Sequence, residues 1–199
     1  MKKSFGIIGA GNIAKAVAAH LLKAGHVVTL SSRKDPSSLQ DTIASLGANA
    51  KAGTLAEAAQ ADIIVLALPW KEIPTLTNLT DWNNKIVIDA TNHYVTPDFQ
   101  LADLGDKTSS EVVAEHLQGA RLVKAFNTLY YRVLEADPKE SFGKRVLFIS
   151  GNHAEEKQEV KTIIETFGFA VIDLGTLAAG GKLQDAKGSL SAINLIRKS

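Results

Sequence analysis

Phe5-Gly6-Ile7-Ile8-Gly9-Ala10-Gly11-Asn12-Ile13-Ala14 is the stretch that decides the fold. Phe5–Ile8 reads as a short β run that ends at Gly9. The residues that follow place Ile13, Ala14, Val17, Ala18, Leu21 and Leu22 on one helical face, with Lys15, Ala19 and Lys23 opposite. Ala24-Gly25 ends that helix as a glycine C-cap would. A Gly-x-Gly-x-x-Ala turn is weakly informative alone, but between a strand and an amphipathic helix it has the context that phosphate binding needs. Gly9 permits a tight turn, Gly11 removes the Cβ that would block a pyrophosphate, and Ala14 keeps helix and strand close. Free N–H groups at the helix start, at the positive end of its dipole, then face an anion.

Outward from this turn, strand-length apolar runs alternate with helix-period segments. His26–Leu30 reads as the second strand. Pro36 to Leu46 reads as a helix with Asp35 as N-cap and Pro36 at its first position. A weak strand over Ala48–Ala52 and a short helix over Leu55–Gln60 follow. Asp62–Leu68 and Lys85–Ala90 are almost wholly apolar, as parallel strands covered on both faces are. Arg121–Phe126, Arg145–Ile149 and Phe169–Asp173 are further strands, with a helix over Glu155–Phe167 between the last two. The alternation predicts a Rossmann-type, doubly wound α/β fold: a mainly parallel sheet in three layers with right-handed crossovers. Thr91–Lys107 is a long connection outside the pattern. From Gly175 onward we expect a short tail with a weak helical pattern at its end. Without a repeat or a low-complexity linker, residues 1–199 are expected to form a single NAD(P)-binding domain.

The end of the second strand carries the choice of dinucleotide. An NAD site wants an acidic residue there for the ribose 2′-hydroxyl. This chain has Ser31-Ser32-Arg33-Lys34 instead, residues that suit a 2′-phosphate, and Asp35 reads as the following N-cap. Because ligands of open α/β sheets sit beyond the carboxyl ends of the strands, Leu68-Pro69-Trp70 and Ala90-Thr91-Asn92 are expected on the ribose and nicotinamide side. Lys124-Ala125-Phe126-Asn127-Thr128 is expected on the far wall; the alternative for Lys124, which lies inside a strand, is that it simply reaches the sheet edge. The expected cofactor-binding set is therefore Gly9, Ala10, Gly11, Asn12, Ile13, Ser31, Ser32, Arg33, Lys34, Leu68, Pro69, Trp70, Ala90, Thr91 and Asn92, for NADP(H). The five histidines, His20, His26, His93, His116 and His153, show no metal-ligand spacing, and only His93 falls in a nominated loop. No catalytic residue and no metal ligand is assigned.

Composition narrows the rest. The chain is 45% hydrophobic and 22% charged with a net charge of +1, which gives no electrostatic argument for nucleic acid or an acidic membrane surface. There is no cysteine, so disulfides, thiolate catalysis, Fe–S clusters and thiolate zinc sites are excluded. Met1-Lys2-Lys3 and the apolar run after it resemble a signal peptide, but Gly6, Gly9, Gly11, Asn12 and Lys15 break the run. No stretch approaches the roughly 18 apolar residues of a membrane span. The expectation is a cytoplasmic protein.

Seven motifs occur in order along the chain: G-A-G-N-I-A (9–14), S-S-R-K (31–34), A-L-P-W (67–70), V-I-D-A-T-N (87–92), S-S-E-V-V-A-E (109–115), V-K-A-F-N-T (123–128) and D-L-G-T-L-A-A-G-G-K-L-Q (173–184). Together they resemble the NADPH-dependent F420 reductase family, the F420:NADP oxidoreductases, and its bacterial relatives of unassigned substrate. The ferric reductase domains of the six-transmembrane epithelial antigens look related. The resemblance implies that the backbone around Ala10, Gly11, Asn12 and Ile13 holds the pyrophosphate and that Ser32 and Arg33 hold the 2′-phosphate. It further implies a nicotinamide near Pro69, Trp70, Thr91 and Asn92, facing coenzyme F420 or a flavin (FMN or FAD) as small-molecule acceptor. Hydride then passes directly between carbon atoms, and no protein acid or base is obligatory. A homodimer is expected on the same ground. This chain departs from the deazaflavin-using members at Phe126-Asn127-Thr128, where those carry a histidine, and its C-terminal helical extension is shorter. Two other readings stand beside this one. One is a non-catalytic NADP(H)-binding sensor or interaction protein. The other is a relative of β-hydroxyacid dehydrogenases or pyrroline-carboxylate reductases, whose helical second domain has no counterpart here.

Overall fold

A computed structural model describes residues 2–95 and 98–198. In chain order the elements are β1 (Ser4–Ile8), α1 (Asn12–Lys23), β2 (Val27–Ser31), α2 (Gln40–Leu46), β3 (Ala50–Gly53), α3 (Leu55–Ala58), β4 (Ile63–Leu66), β5 (Ile86–Asp89), β6 (Tyr94–Val95), β7 (Gln100–Leu101), α4 (Ser109–His116), β8 (Arg121–Lys124), α5 (Tyr131–Glu135), β9 (Lys139–Glu140), β10 (Gly143–Gly151), α6 (Ala154–Thr166), β11 (Ala170–Asp173), α7 (Gly180–Gln184) and β12 (Ile196–Lys198). Two 3-10 turns, Pro36–Leu39 and Trp70–Leu76, complete the set.

The principal sheet runs β11-β10-β8-β5-β4-β1-β2-β3. All neighbours from β3 to β8 are parallel, as are β10 and β11, while β10 meets β8 antiparallel through Ser150 and Gly151. Side chains alternate between two buried faces, the signature of a sheet covered on both sides. Phe5, Ile7, Ile63, Val65, Ile88 and Val123 pack with α1 and α6 through Val17, Leu21, Val160 and Ile164. Ile8, Ile64, Leu66, Val87 and Leu122 pack on the other face with Ala58, Ile73, Leu76, Val113 and Leu117. Two helical layers therefore sandwich one mainly parallel sheet, the Rossmann-type architecture the alternation predicts.

Local signals explain most boundaries. Asp35 accepts from the Ser37 N–H at 2.9 Å and opens the 3-10 turn at Pro36, so the predicted helix begins as a tighter turn and becomes α-helical at Gln40. Thr54 and Thr108 each close a capping box with the glutamate three residues later, which fixes the starts of α3 and α4. The long connection after β5 contains a short antiparallel pair, β6 with β7; residues 96 and 97 lie outside the described part. The tail differs from expectation. Its end is not helical: Ile196–Lys198 pairs antiparallel with Gly143–Arg145 of β10, and the short helix α7 lies earlier, packed on β10. Three residues on a sheet edge carry too little periodicity to show as a strand.

Among the described residues, no helix is long and apolar enough to cross a membrane.

Candidate functional site

The chain runs from β1 outward to β3, then returns to β4 on the opposite side of β1. This reversal leaves a crevice at the carboxyl ends of β1 and β4, the place where open α/β sheets bind ligands. A cleft of about 510 Å³ lies there, lined by Gly9, Ala10 and Gly11 on one side and by Ala67, Leu68 and Pro69 on another. Ser32, Arg33 and Lys34 form its outer wall.

The turn is held from both flanks. Gly9 N–H donates to the Ser31 carbonyl at 2.9 Å, and Ala67 N–H donates to the Ile8 carbonyl at 2.9 Å. Gly9 has φ +126, and an ideal Cβ on it would stand 2.0 Å from the Ala67 carbonyl oxygen, so only glycine fits. Gly11 is different. Its φ of −77 suits any residue, and a Cβ there would meet nothing within 4 Å. Gly11 is the N-cap of α1, no side chain caps it, and the first turn carries no acidic residue. The N–H groups of that turn are thus left for an anion, with the helix dipole behind them.

On the outer wall, Arg33 Nη1 donates to Glu72 Oε2 at 2.9 Å. Glu72 is buried, at 7% side-chain exposure, while Arg33 is 67% exposed. The Ser32 hydroxyl accepts from the Lys34 N–H at 3.2 Å and shapes the turn. Leu39, Leu55 and Leu76 give the cleft an apolar floor suited to a planar ring, and Ser38 and Thr75 add hydroxyls.

Of the expected residues, Gly9, Ala10, Gly11, Ser32, Arg33, Lys34, Leu68 and Pro69 line this cleft. Asn12 and Ile13 stand at the adjoining start of α1; Asn12 is exposed and Ile13 packs on the core. Ser31 does not face the cleft. It is fully buried, and its hydroxyl donates to the Ile7 carbonyl at 2.9 Å, tying β2 to β1. Ala90, Thr91 and Asn92 lie past β5, outside the cleft lining. Thr91 is buried and donates its hydroxyl to Asp89 Oδ1 at 2.6 Å. Asn92 and Asn127 exchange hydrogen bonds: Asn92 Nδ2 donates to the Asn127 carbonyl at 3.1 Å, and Asn127 Nδ2 to Asn92 Oδ1 at 3.0 Å. Phe126, buried with φ +65, makes the left-handed bend that turns Asn127 toward this pairing. Trp70 is half-buried and meets His93 edge-on, with ring centroids 6.1 Å apart.

Lys124 does not reach the sheet edge. It is fully buried, and its Nζ donates to Ser109 Oγ at 2.8 Å, Ser110 Oγ at 3.1 Å, the Thr91 carbonyl at 3.4 Å and Asp89 Oδ2 at 3.5 Å. Asp185 Oδ1 lies 3.5 Å away. An ammonium this deep needs carboxylates and hydroxyls around it, and Asp89 of β5, Ser109 and Ser110 of α4 and Asp185 just past α7 supply them. The network therefore ties the loop after β5, through Thr91, to both helices.

His93 is buried, and its Nδ1 has no partner among the described residues. Burial lowers its pKa below the ordinary 6.5, chiefly by desolvation. It lines a second cavity of about 450 Å³ with residues of 101–108 and 182–188. The described residues contain no group of three or more His, Asp or Glu able to hold a metal ion. Glu72, Thr75 and Leu76 escape a sequence reading because they sit on an irregular turn containing Pro74, which has no helical period.

Comparison with known proteins fits this geometry. Residues 4–93 match the family model described as NADP oxidoreductase, coenzyme F420-dependent. A solved structure of a hypothetical protein from Sinorhizobium meliloti is 42% identical, covers 100% of this chain and 97% of its own, and superposes with a TM-score of 0.92. A structure from Arthrobacter sp. FB24, named as a candidate F420-dependent NADP reductase, is 24% identical with a TM-score of 0.78, covering 89% of this chain and 86% of its own. Among curated proteins, metalloreductase STEAP3 of Rattus norvegicus is 27% identical over 90% of this chain. The chain spans only 35% of that relative's length. Over residues 4–93, a little under half of its length, the chain is thus similar to the NADP oxidoreductases of the coenzyme F420-dependent family.

Proposed function

We propose that this chain binds NADP(H) in the cleft between β1 and β4 and transfers hydride directly between its nicotinamide and a flavin-like acceptor, either coenzyme F420 or FMN/FAD. One observation carries the reading: a glycine turn with uncapped helix N–H groups and a Ser32-Arg33-Lys34 wall line the same cleft. The fit is good at both ends. Gly11 leaves room for phosphate beside the start of α1, and Arg33 and Lys34 supply cationic donors where a 2′-phosphate would stand.

When bound, the dinucleotide supplies the hydride. The protein's own work is then to bind and orient. Gly9, Gly11 and the N–H groups of Asn12 and Ile13 receive the pyrophosphate, and the apolar floor of Leu39, Leu55 and Leu76 receives the adenine. Leu68 and Pro69 lead the cleft toward Trp70, Thr91 and Asn92, which we assign to the nicotinamide side. The Lys124 network and the Asn92–Asn127 pair hold that side rigid, so that positioning supplies the catalysis. Within the segment Phe126-Asn127-Thr128, Asn127 gives its amide protons to Asn92 Oδ1 and the Gln184 carbonyl.

The experiment is to follow NADPH absorbance with coenzyme F420, FMN, FAD, riboflavin and ferric chelates in turn. Oxidation with one of the flavin-like acceptors is expected. Tight NADPH binding with no turnover of any acceptor would contradict the transfer step and favour a sensor.

A further inference from the structure

Glu72 is a buried carboxylate inside the cleft that the Ser32-Arg33-Lys34 wall lines, where an anion is out of place beside an expected phosphate. Its one cationic partner is Arg33, held by a single bond from Nη1 at 2.9 Å. The two come from opposite walls: Arg33 follows β2, and Glu72 sits on the 3-10 turn after β4. The pair therefore links the two walls of the cleft. A guanidinium has five N–H donors in a planar fork, and only one is engaged by Glu72. The remaining donors have no partner among the described residues.

We propose that Glu72 is a specificity-determining positioning residue: it pins one arm of the Arg33 fork, so that the remaining donors are presented to a 2′-phosphate and the planar face to the adenine. The inference rests on the NADP(H) reading above. Two physical facts support it. An arginine side chain that is two-thirds exposed loses rotamer freedom when fixed, and a carboxylate that fixes it beforehand lifts part of that loss from binding. The buried Glu72 in turn needs a cation beside it, since a lone buried carboxylate is strongly disfavoured, and among the described residues Arg33 is the one that reaches it.

The competing role is repulsion. If Glu72 acts on the ligand directly, it opposes the phosphate or accepts from the 2′-hydroxyl of NADH, as the missing acid at the end of β2 would have done. The two roles have opposite signs.

The test is equilibrium titration of NADPH and NADH against the wild type, Glu72→Ala, Glu72→Gln, Arg33→Ala and the double variant Glu72→Ala/Arg33→Ala. Pinning predicts that Glu72→Ala weakens NADPH about 5–20-fold and moves NADH less than about twofold. Glu72→Gln, which keeps an acceptor for Nη1, should recover most of the loss. In the Arg33→Ala background, loss of Glu72 should change NADPH binding by less than about twofold. Tighter NADPH binding by Glu72→Ala, weaker NADH binding, or an unchanged ratio would each overturn the proposal. Should Glu72→Ala fail to fold, Arg33→Lys decides, because it keeps the charge without the fork; full retention of the NADPH preference would overturn the proposal. A wild type with no preference for NADPH refutes the NADP(H) reading itself, whereas a wild-type preference that persists undiminished in Glu72→Ala refutes only the pinning.

Discussion

Gly9 and Ala67 approach so closely that a Cβ on the glycine would stand 2.0 Å from the alanine carbonyl oxygen. The contact closes the carboxyl ends of β1 and β4 into one rim of the cleft. Gly9→Ala meets a backbone clash at φ +126 as well as an unfavourable conformation. It should lower stability by about 3 kcal/mol, read as a shift in the urea midpoint, and weaken NADPH binding with it.

Gly11→Ala separates architecture from ligand. Its Cβ enters open space at φ −77, so stability should stay within about 0.5 kcal/mol of wild type. NADPH binding should nevertheless fall sharply, because the methyl group occupies the space assigned to phosphate. A variant that binds NADPH normally would move the phosphate away from this turn.

Arg33→Ala removes the cation we assign to the 2′-phosphate. NADPH should weaken about 10–100-fold, from roughly 1.5–3 kcal/mol for a charge-assisted hydrogen bond, with NADH little changed. Calorimetry with both ligands reads the difference.

Lys124→Met leaves Asp89 in a fully buried site without its ammonium. A loss of roughly 3–5 kcal/mol in denaturant unfolding is expected, and a double change with Asp89→Asn should recover part of it. If Lys124→Met is neutral, the network does not hold the loop after β5 as we describe.

Stability should fall as acid is added, beginning near neutrality. His20 is buried, stacked near Phe167 and edge-on to Phe169, and its Nε2 lies 2.6 Å from the Leu134 carbonyl. Burial lowers its pKa from the ordinary 6.5 by desolvation, against the opposing pull of that carbonyl, and His26 and His93 are lowered for the same first reason. The unfolded chain therefore binds more protons than the fold once pH drops below about 6.5, so stability is fully present above that value and is lost as pH falls toward the folded pKa values. Carboxylates such as Asp62, lowered by the Ser4 N–H and hydroxyl, act only in more acidic solution. Unfolding midpoints from about pH 7.5 to about pH 5.5 should show the decline, and His20→Gln should make it shallower.

How far the sequence carried the account depends on how local each signal is. The parallel strands were legible because both faces are buried and nearly every residue of Ile63–Leu66 is apolar. The glycine turn after β1 was legible because Gly9 answers to a backbone demand, a φ of +126 against the Ala67 carbonyl. Ser31 was misplaced by one residue of strand phase, since consecutive side chains point to opposite faces and its hydroxyl turns into the sheet. Glu72 left no trace because its meaning comes from Arg33, 39 positions away. Lys124 was nominated as a site-wall residue, yet its burial depends on Asp89, Ser109, Ser110 and Asp185, drawn from three other elements of the fold. The terminal strand β12 has only its pairing with β10 to define it.

Titrating the purified wild-type chain with NADPH and with NADH, each followed by nicotinamide fluorescence, tests the assignment of the cleft at its root. An affinity for NADPH at least about tenfold above that for NADH is the predicted result. Equal affinities, or no binding of either, would contradict it.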